Sequence, residues 1–370
     1  MHIAFIAPYI DNETMQGGVG GKIRSQIQYW QNRGHEVQLF VLSPDEILVE
    51  NCNAFRYGPS TSLPVILALS RTISRSRAAL KLMDSVQNYR PDLIYMRFGR
   101  YIYPIHRLKK LAPVILELNT DDINQDRFLG WPLYWFNRST RGLEINNCAG
   151  LIAVSQEIAN LPVNKMYNKP VRVIANGIDL KQYLVLPPSE NKRPVITIVG
   201  SPGMIWHGID KLIWLGEKCS DLRINIVGYH ASDITQDTPS NVQIHGFLDR
   251  DGVKDVLMKT DVACGSLALH RKNMQEASPL KVREALAYGI PILLGYRDTD
   301  LSNLDNEYIL QIPNTEDNVM AHSEQIRSFA YNMMGKRIRR ELIANLIDQD
   351  PKEKARLAFF DEIVKNDRVK

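Results

Sequence analysis

The sequence predicts an α/β protein built as two parallel-sheet domains in tandem. Short apolar runs alternate with amphipathic segments, a glycine-rich loop follows the first apolar run of each half, and a polar, proline-rich segment divides the chain. A length of 370 residues suits two domains at roughly 100–200 residues each. Hydrophobic residues at 44% and charged residues at 23% are ordinary for globular proteins and exclude a mainly disordered chain.

The first half begins with a strand, a glycine loop, a helix and a second strand. Residues 2–8 form an apolar run that ends at Pro8, and Gly17–Gly21 is predicted to be a loop. Ile23, Ile27 and Trp30 then recur at helical spacing. The further strands of this half are expected at Glu36–Leu42, Leu93–Met96, Val114–Leu118, Leu151–Ser155 and Val171–Ile174.

The second half repeats this order after a polar linker at 187–194, so the predicted domains are 1–186 and 195–349. A glycine loop at Gly200–Gly203 follows the first strand. Helices are predicted at Asp210–Lys218 and 279–288. The strands of this half are expected at Val195–Val199, Arg223–Gly228, Val242–His245, Val262–Cys264 and Pro291–Leu294.

The segment Glu276–Pro291 carries the most chemical information. Ser278 suits a helix N-cap and Pro279 the first helical position, so the amides of Leu280 and Lys281 would point out of the helix start. Free amides at a helix start bind anions and suit a diphosphate, to which Lys281 adds a full charge. Glu284 lies on the same helix face and can accept hydrogen bonds from a ribose diol.

The spacing of Glu276 and Glu284 resembles the E-x7-E motif of the retaining GT-B glycosyltransferases of family GT4. Further segments resemble that family in order and spacing, among them its N-terminal glycine loop and its NG(V/I)D segment. These segments are Gly17–Gly21, Val173–Asp179, Asn241–Leu248 and Ala287–Pro291.

The resemblance implies the GT-B fold, in which two Rossmann-like domains face each other across a cleft. Domain 1–186 would bind the acceptor, domain 195–349 would bind a nucleotide-diphosphate sugar, and the C-terminal helix in 350–370 would cross back to the first domain. The implied activity is retaining, metal-independent transfer of a sugar to a hydroxyl, without a cofactor, in polysaccharide, glycolipid or glycoconjugate synthesis.

The resemblance also assigns roles to residues. Glu276 would orient the donor sugar, Glu284 would bind the ribose, and Gly18 would approach the donor from the first domain. Four further residues are expected on the donor, with Gly203 in the glycine loop and the other three near the base: Gly203, Tyr229, Phe247 and Leu248.

Three positions depart from the family pattern. Ser201 and His207 stand where typical members have an arginine and a lysine, and Asn119 stands where many have a histidine near the reacting sugar. Lys281 and a protonated His207 are expected to replace the missing cations. Asn119 can donate and accept hydrogen bonds but cannot act as a base near pH 7.

Functions other than sugar transfer are compatible with some of these features. A nucleotide-sugar epimerase on a similar fold and a non-catalytic glycan-binding or chaperone-like homologue remain alternatives. A dehydrogenase is disfavoured because neither glycine loop reads GxGxxG. Asp298-Thr299-Asp300 resembles a metal-binding DxD motif but comes too late in the chain, and no paired histidine spacing indicates zinc.

Charge is unevenly distributed along the chain. The window Arg71–Lys110 holds ten Lys or Arg and two Asp, a net charge of +8, whereas the whole chain carries +4. Beside the apolar run Leu63–Leu69, this window suits contact with anionic lipid and equally with nucleic acid or an acidic polymer, although a solvated helix face is the simpler alternative. We expect a cytoplasmic protein, peripheral at the inner membrane face, with a glycan, glycolipid or glycoprotein acceptor and no nucleic-acid partner.

Overall fold

The fold is described from a computed structural model in two compact units. One unit comprises Met1–Ile174 and Pro351–Lys370, and the other comprises Ala175–Asp350. The side chains of 64–69 are not described, so the predicted apolar run Leu63–Leu69 lies outside the described side chains. The structure describes residues 1–47, 52–58, 64–301 and 306–368.

The first unit is built on a seven-stranded sheet in which every pair of neighbouring strands is parallel. Its strand order is β3-β2-β1-β4-β5-β6-β7. All of its strands except β3 were predicted from the sequence. The strands are His2–Pro8 (β1), Glu36–Ser43 (β2), Cys52–Arg56 (β3), Leu93–Arg97 (β4), Val114–Leu118 (β5), Gly150–Ala153 (β6) and Val171–Val173 (β7).

The second unit contains a six-stranded sheet that is also entirely parallel, with the order β10-β9-β8-β11-β13-β15. A separate two-stranded parallel ladder joins β12 and β14. The strands are Val195–Val199 (β8), Arg223–Val227 (β9), Val242–Ile244 (β10), Val262–Cys264 (β11), Glu276–Ala277 (β12), Ile292–Leu294 (β13), Arg297–Asp298 (β14) and Ile309–Gln311 (β15).

Helices connect the parallel strands, as such sheets require. Those of the first half are Asn12–Gln16 (α1), Gly18–Gln31 (α2), Pro64–Tyr89 (α3), Asp122–Leu129 (α4), Trp131–Ile145 (α5), Gln156–Asn160 (α6) and Pro162–Lys165 (α7). Those of the second half are Ile209–Lys218 (α8), Arg250–Met258 (α9), Leu280–Ala287 (α10), Asn318–Ala321 (α11), Ser323–Asn332 (α12), Ala344–Ile347 (α13) and Gln349–Arg368 (α14).

The predicted loop at Gly17–Gly21 is wrong, because α2 already begins at Gly18, with Gly17 as its N-cap. The glycines serve close packing instead. A Cβ atom on Gly20 would lie 1.8 Å from the carbonyl oxygen of Met15, so only glycine lets α2 start this close to α1.

The C-terminal helix α14 completes the core of the first unit. Phe359 and Phe360 on this helix are fully buried. The ring of Phe360 lies 5.2 Å from Trp30 and 5.3 Å from Tyr95, measured between centroids. Residues from the two ends of the chain therefore share one hydrophobic core.

The segment 175–186, which the sequence analysis assigned to the first domain, makes its hydrogen bonds within the second unit. The backbone N–H of Asn176 donates to Ser278 Oγ at 2.9 Å, and that of Leu186 donates to the carbonyl of Tyr288 at 3.0 Å. Arg340 donates to the carbonyl of Leu180 at 3.2 Å. These bonds tie the segment to α10 and its surroundings.

Candidate active site

Helix α10 begins at Leu280, and Pro279 is its N-cap, with φ −77° and ψ 138°. The prediction that Ser278 caps this helix is therefore wrong by one position. The Ser278 hydroxyl instead accepts hydrogen bonds from the backbone N–H of Asn176 and from Arg283 Nη2, both at 2.9 Å. It anchors the strand that enters the helix, and the first amides of α10 start at Leu280.

Arg283, on the first turns of α10, fixes the start of this helix through buried hydrogen bonds. Its guanidinium is fully buried and bonds to both oxygens of Asp298 at 2.8 Å, and to Asp300 at 2.9 Å. Its Nε donates to the carbonyl of Asn176 at 3.1 Å. The two carboxylates of the DxD sequence are thus bonded to an arginine, a role that the sequence analysis did not find.

Lys281 brings an unpaired ammonium group to the first turn of α10. Within the described part of the chain, its Nζ is buried and has no hydrogen-bond partner. Burial lowers the pKa of Lys281 to about 8, and attraction to the Cys264 thiol opposes this only weakly. A buried cationic donor without a partner costs stability, so its presence at a helix start points to an anionic ligand.

Glycines and two aromatic side chains lie where the strands of the second sheet end. Gly228, after β9, has φ +89°, and a Cβ atom there would lie 2.1 Å from the carbonyl oxygen of Gly200. A Cβ atom on Gly200 would lie 2.7 Å from the rings of both His207 and Tyr229. These two side chains share a hydrogen bond of 2.8 Å between Nδ1 and the hydroxyl. The structure thus brings together two of the predicted site residues.

The expectation that a protonated His207 replaces a family cation is wrong. Burial and the positive charges of Lys281 and Lys272 lower the pKa of His207 to about 2, so the imidazole is neutral at physiological pH. A neutral imidazole can orient the Tyr229 hydroxyl but adds no charge. Lys281 therefore carries the positive charge at the start of α10.

The two glutamates of the E-x7-E motif have different surroundings. Glu284 is partly buried on α10, and burial raises its pKa despite the nearby guanidinium of Arg250 and a hydrogen bond with Tyr183. Glu276 lies on β12 and is 4% exposed, with its Oε2 3.9 Å from Nη2 of Arg297. The structure places them at opposite ends of the segment that contains the helix start.

The remaining donor-site candidates of the second unit are at least partly accessible. Gly203 is exposed in the turn after β8, with φ +77°. Phe247 is 64% exposed in the segment after β10, which ends at Ile244, while Leu248 and Leu280 are partly buried. An exposed phenyl ring at a strand end is available to stack on a planar ligand.

Gly18 and Asn119 belong to the first unit. Gly18 is exposed at the start of α2. Asn119 donates to Glu117 Oε2 at 3.1 Å, and Lys22 donates to Glu117 Oε1 at 2.8 Å and to Asn119 Oδ1 at 3.4 Å. Asn119 is therefore held by a buried ion pair that sequence reasoning missed.

Two arginines, Arg97 and Arg356, join this ion pair. Burial alone would raise the pKa of Glu117, but Lys22, Arg356 and Arg97 outweigh burial and hold it well below its usual range. Arg356 reaches Glu117 from α14, with 3.7 Å between Nη2 and Oε1. The signal in the sequence was a lone glutamate inside the apolar strand Val114–Leu118.

The two all-parallel α/β units define the class of protein as one with the GT-B fold, as the sequence predicts. Residues 16–182 match the sequence profile of Glycosyltransferase Family 4. No curated protein matches the chain by sequence.

Several solved structures are similar over nearly the full length. A glycosyltransferase from Rickettsia africae shares 15% identity over 99% of both chains, with a TM-score of 0.64. Sucrose-phosphate synthase from Thermosynechococcus elongatus shares 13% over 99% of this chain and 100% of that one, with a TM-score of 0.68. Anabaena HepE, solved with UDP and glucose, shares 13% over 97% and 99%, with a TM-score of 0.61.

The whole chain therefore has the GT-B fold, and its residues 16–182 are similar to Glycosyltransferase Family 4. The profile match over 16–182 agrees with the resemblance inferred from the motifs. The likeness to solved structures, at 12–15% identity, concerns the fold.

Proposed function

We propose that this protein transfers a sugar from a nucleotide-diphosphate donor to a hydroxyl acceptor with retention of anomeric configuration. The observation that carries the proposal is the buried, unpartnered ammonium of Lys281 in the first turn of α10. The amides of Leu280 and Lys281 and this ammonium would bind the diphosphate. Similar proteins were solved with UDP and glucose or with UDP-glucose, which supports a nucleotide-sugar donor.

The leaving diphosphate would be stabilised by protein groups rather than by a metal ion. Asp298 and Asp300, the carboxylates arranged as a DxD sequence, are already bonded to Arg283. Lys281 and the helix start supply the positive potential that a departing diphosphate needs. The acceptor hydroxyl would attack from the face that the diphosphate leaves, and a phosphate oxygen would take its proton.

Glu284 and Glu276 would have separate tasks. Glu284, whose raised pKa reflects its burial, would accept hydrogen bonds from the ribose, and Glu276 would orient the donor sugar. Phe247 and Leu248, next to Tyr229, would lie near the base. The neutral His207 would hold the Tyr229 hydroxyl in place.

The acceptor would be a hydroxyl of a glycan, glycolipid or glycoprotein. We assign it to the first unit, whose basic window Arg71–Lys110 suits an anionic acceptor or an anionic membrane. The enzyme would then act in the cytoplasm, peripheral to the inner membrane face, in the synthesis of a polysaccharide or glycoconjugate. The roles of Gly18 and Asn119 in this reaction stay predictions.

The proposal is tested first by ligand binding and then by product analysis. UDP, GDP, ADP and CDP are compared in a thermal-shift screen, and the binding nucleotide is expected to raise the melting temperature by mass action. Sugar donors that carry this nucleotide are then incubated with the protein and hydroxyl acceptors in the presence of EDTA, which removes metal ions. The anomeric configuration of the product is determined by NMR. Glu284→Ala should lose transfer, whereas Glu217→Ala, on an exposed position of α8, should not.

Three results would contradict the proposal. They are an inverted product, an epimerised donor without transfer, or full activity of Glu284→Ala.

Nucleotide binding should depend on pH through Lys281. Because a bound diphosphate favours the charged ammonium, affinity is expected to be constant below the free-protein pKa of about 8 and to fall above it, by up to about tenfold per pH unit. Calorimetric titration with UDP, or with the nucleotide selected by the screen, between pH 7 and 9.5 measures this change. Residual binding by Lys281→Met should not show the fall, and a flat wild-type profile would contradict the assignment.

A further inference from the structure

Helix α5 has its polar side inside and its apolar side outside. Asn137, Arg141 and Glu144 are buried, whereas Trp131 is 56% and Trp135 57% exposed. A helix on the surface of a globular protein normally shows the opposite arrangement. The described residues therefore leave the aromatic side chains of α5 exposed, and these side chains are available to a binding partner.

The orientation of α5 is fixed by hydrogen bonds on its inner side. Arg141 Nη2 donates to Asp122 Oδ1 at 2.9 Å and to Asn164 Oδ1 at 2.9 Å. Asn137 Nδ2 donates to Asp122 Oδ2 at 2.8 Å. Rotating the helix to bury its tryptophans would break these hydrogen bonds and leave buried polar groups unpaired, which is unfavourable.

The exposed apolar surface continues from α5 into the end of α4. Phe128 and Leu129, before the turn at Gly130, are 45% and 58% exposed. Several large apolar side chains exposed within one short stretch mark an interaction site more often than scattered single ones do. We define the aromatic face as six exposed residues: Phe128, Leu129, Trp131, Trp135, Phe136 and Leu143.

The charges around the aromatic face are positive. The stretch 127–143 contains no Asp or Glu and three arginines, of which Arg141 is buried and Arg127 and Arg138 are on the surface side. The guanidinium of Arg127 lies 5.5 Å from the centroid of the Trp131 ring, and Arg138 is exposed. The 3-10 helix Ile105–Lys110, which contacts α5, carries three more exposed cations at Arg107, Lys109 and Lys110.

We propose that the aromatic face docks onto an anionic phospholipid bilayer. Tryptophan and phenylalanine side chains would enter the boundary between headgroups and acyl chains, while the arginines and lysines would bind lipid phosphates. The absence of carboxylates from 127–143 favours an anionic surface over a protein patch of mixed charge. Among the described residues, no helix combines the length and the hydropathy that a membrane span requires.

This inference does not depend on sugar transfer, since lipid binding is measured without donor or acceptor. The full-length protein is co-sedimented with vesicles of phosphatidylcholine alone and with an equal mixture of phosphatidylcholine and phosphatidylglycerol. We expect binding to the mixed vesicles and quenching of tryptophan fluorescence by brominated lipid. The variant Trp131→Ser/Trp135→Ser should bind at least about tenfold more weakly.

Two matched controls separate the parts of the surface. Leu184→Ser/Met320→Ser removes exposed apolar side chains from the second unit and should bind like wild type. Lys109→Glu/Lys110→Glu should lose binding to anionic vesicles, whereas Lys254→Glu/Lys259→Glu, exposed on and after α9, should not. Thermal melting checks that each variant is folded.

Three outcomes would overturn the proposal. The first is no binding of the wild type to any vesicle, and the second is unchanged binding of Trp131→Ser/Trp135→Ser. The third is a concentration-dependent dimer in sedimentation velocity that this variant abolishes without any vesicle binding, which would assign the face to a second copy of the chain.

Discussion

Replacing Lys281 by methionine is expected to make the protein more stable and to remove most of its affinity for nucleotide diphosphates. The ammonium is buried without a hydrogen-bond partner among the described residues, and burial lowers its pKa to about 8, so the free protein holds the charged form at a cost. Methionine fills the same space without that cost. The expected gain is about 1–3 kcal/mol in the free energy of unfolding at pH 7.

The same substitution removes the cation that faces the diphosphate. A charge-assisted hydrogen bond contributes about 1.5–3 kcal/mol, so affinity for UDP or the nucleotide selected by the screen should fall by about 10–150-fold. Urea unfolding measures the first effect and calorimetric titration measures the second. Lys254→Met, at an exposed position of α9, is the matched control and should change neither. A variant that binds the nucleotide like wild type would exclude Lys281 from the site.

Replacing Arg283 by methionine, two residues further along the same helix, should have the opposite effect on stability. The guanidinium is fully buried and bonds to both Asp298 and Asp300. Its removal leaves the buried Asp298 carboxylate without its cation, and breaking such a pair from one side costs about 3–5 kcal/mol. The Asn176 carbonyl and the Ser278 hydroxyl each lose a donor as well.

Urea unfolding and thermal melting measure the loss. Arg327→Met is the matched control, because Arg327 pairs with Asp221 at the surface, where ion pairs contribute little to stability. The variant Arg283→Met/Asp298→Leu, which removes both charges, should recover part of the stability. If Arg283→Met were no more destabilising than Arg327→Met, the buried pair would not be the support of the helix start.

Apolar periodicity predicted most of the two sheets because their strands are buried on both sides. β1, β5, β8 and β11 consist of near-continuous apolar runs, which a parallel sheet covered by helices requires. β3 was missed because Cys52–Arg56 is a partly exposed strand at the edge of the sheet, where apolar and polar residues mix. Edge strands carry a weaker signal.

Predictions from local composition were wrong where packing against other residues decided the conformation. The glycines at Gly17–Gly21 predicted a loop. They form the N-cap and first turn of α2 instead, because Gly20 packs against Met15. Ser278 has a good N-cap composition, but its hydroxyl is taken by Asn176 and Arg283. Met15 and Arg283 lie within a few residues of Gly20 and Ser278, whereas Asn176 is 102 residues from Ser278, and none of these contacts follows from local composition.

The candidate site was only partly predictable for a related reason. The sequence placed Lys281 at a helix start and glycines at strand ends, because these follow from local order along the chain. It could not show that His207 is kept neutral by burial and by Lys281 and Lys272. Nor could it show that Arg283 neutralises the DxD carboxylates, since charge states depend on burial and on distant neighbours.

A crystal structure of the protein with the nucleoside diphosphate selected by the thermal-shift screen tests the central claim most directly. We predict diphosphate oxygens within hydrogen-bond distance, about 2.7–3.2 Å, of Lys281 Nζ and of the backbone amide of Leu280. A nucleotide whose diphosphate is bound elsewhere, with the Lys281 ammonium still lacking a partner, would contradict it.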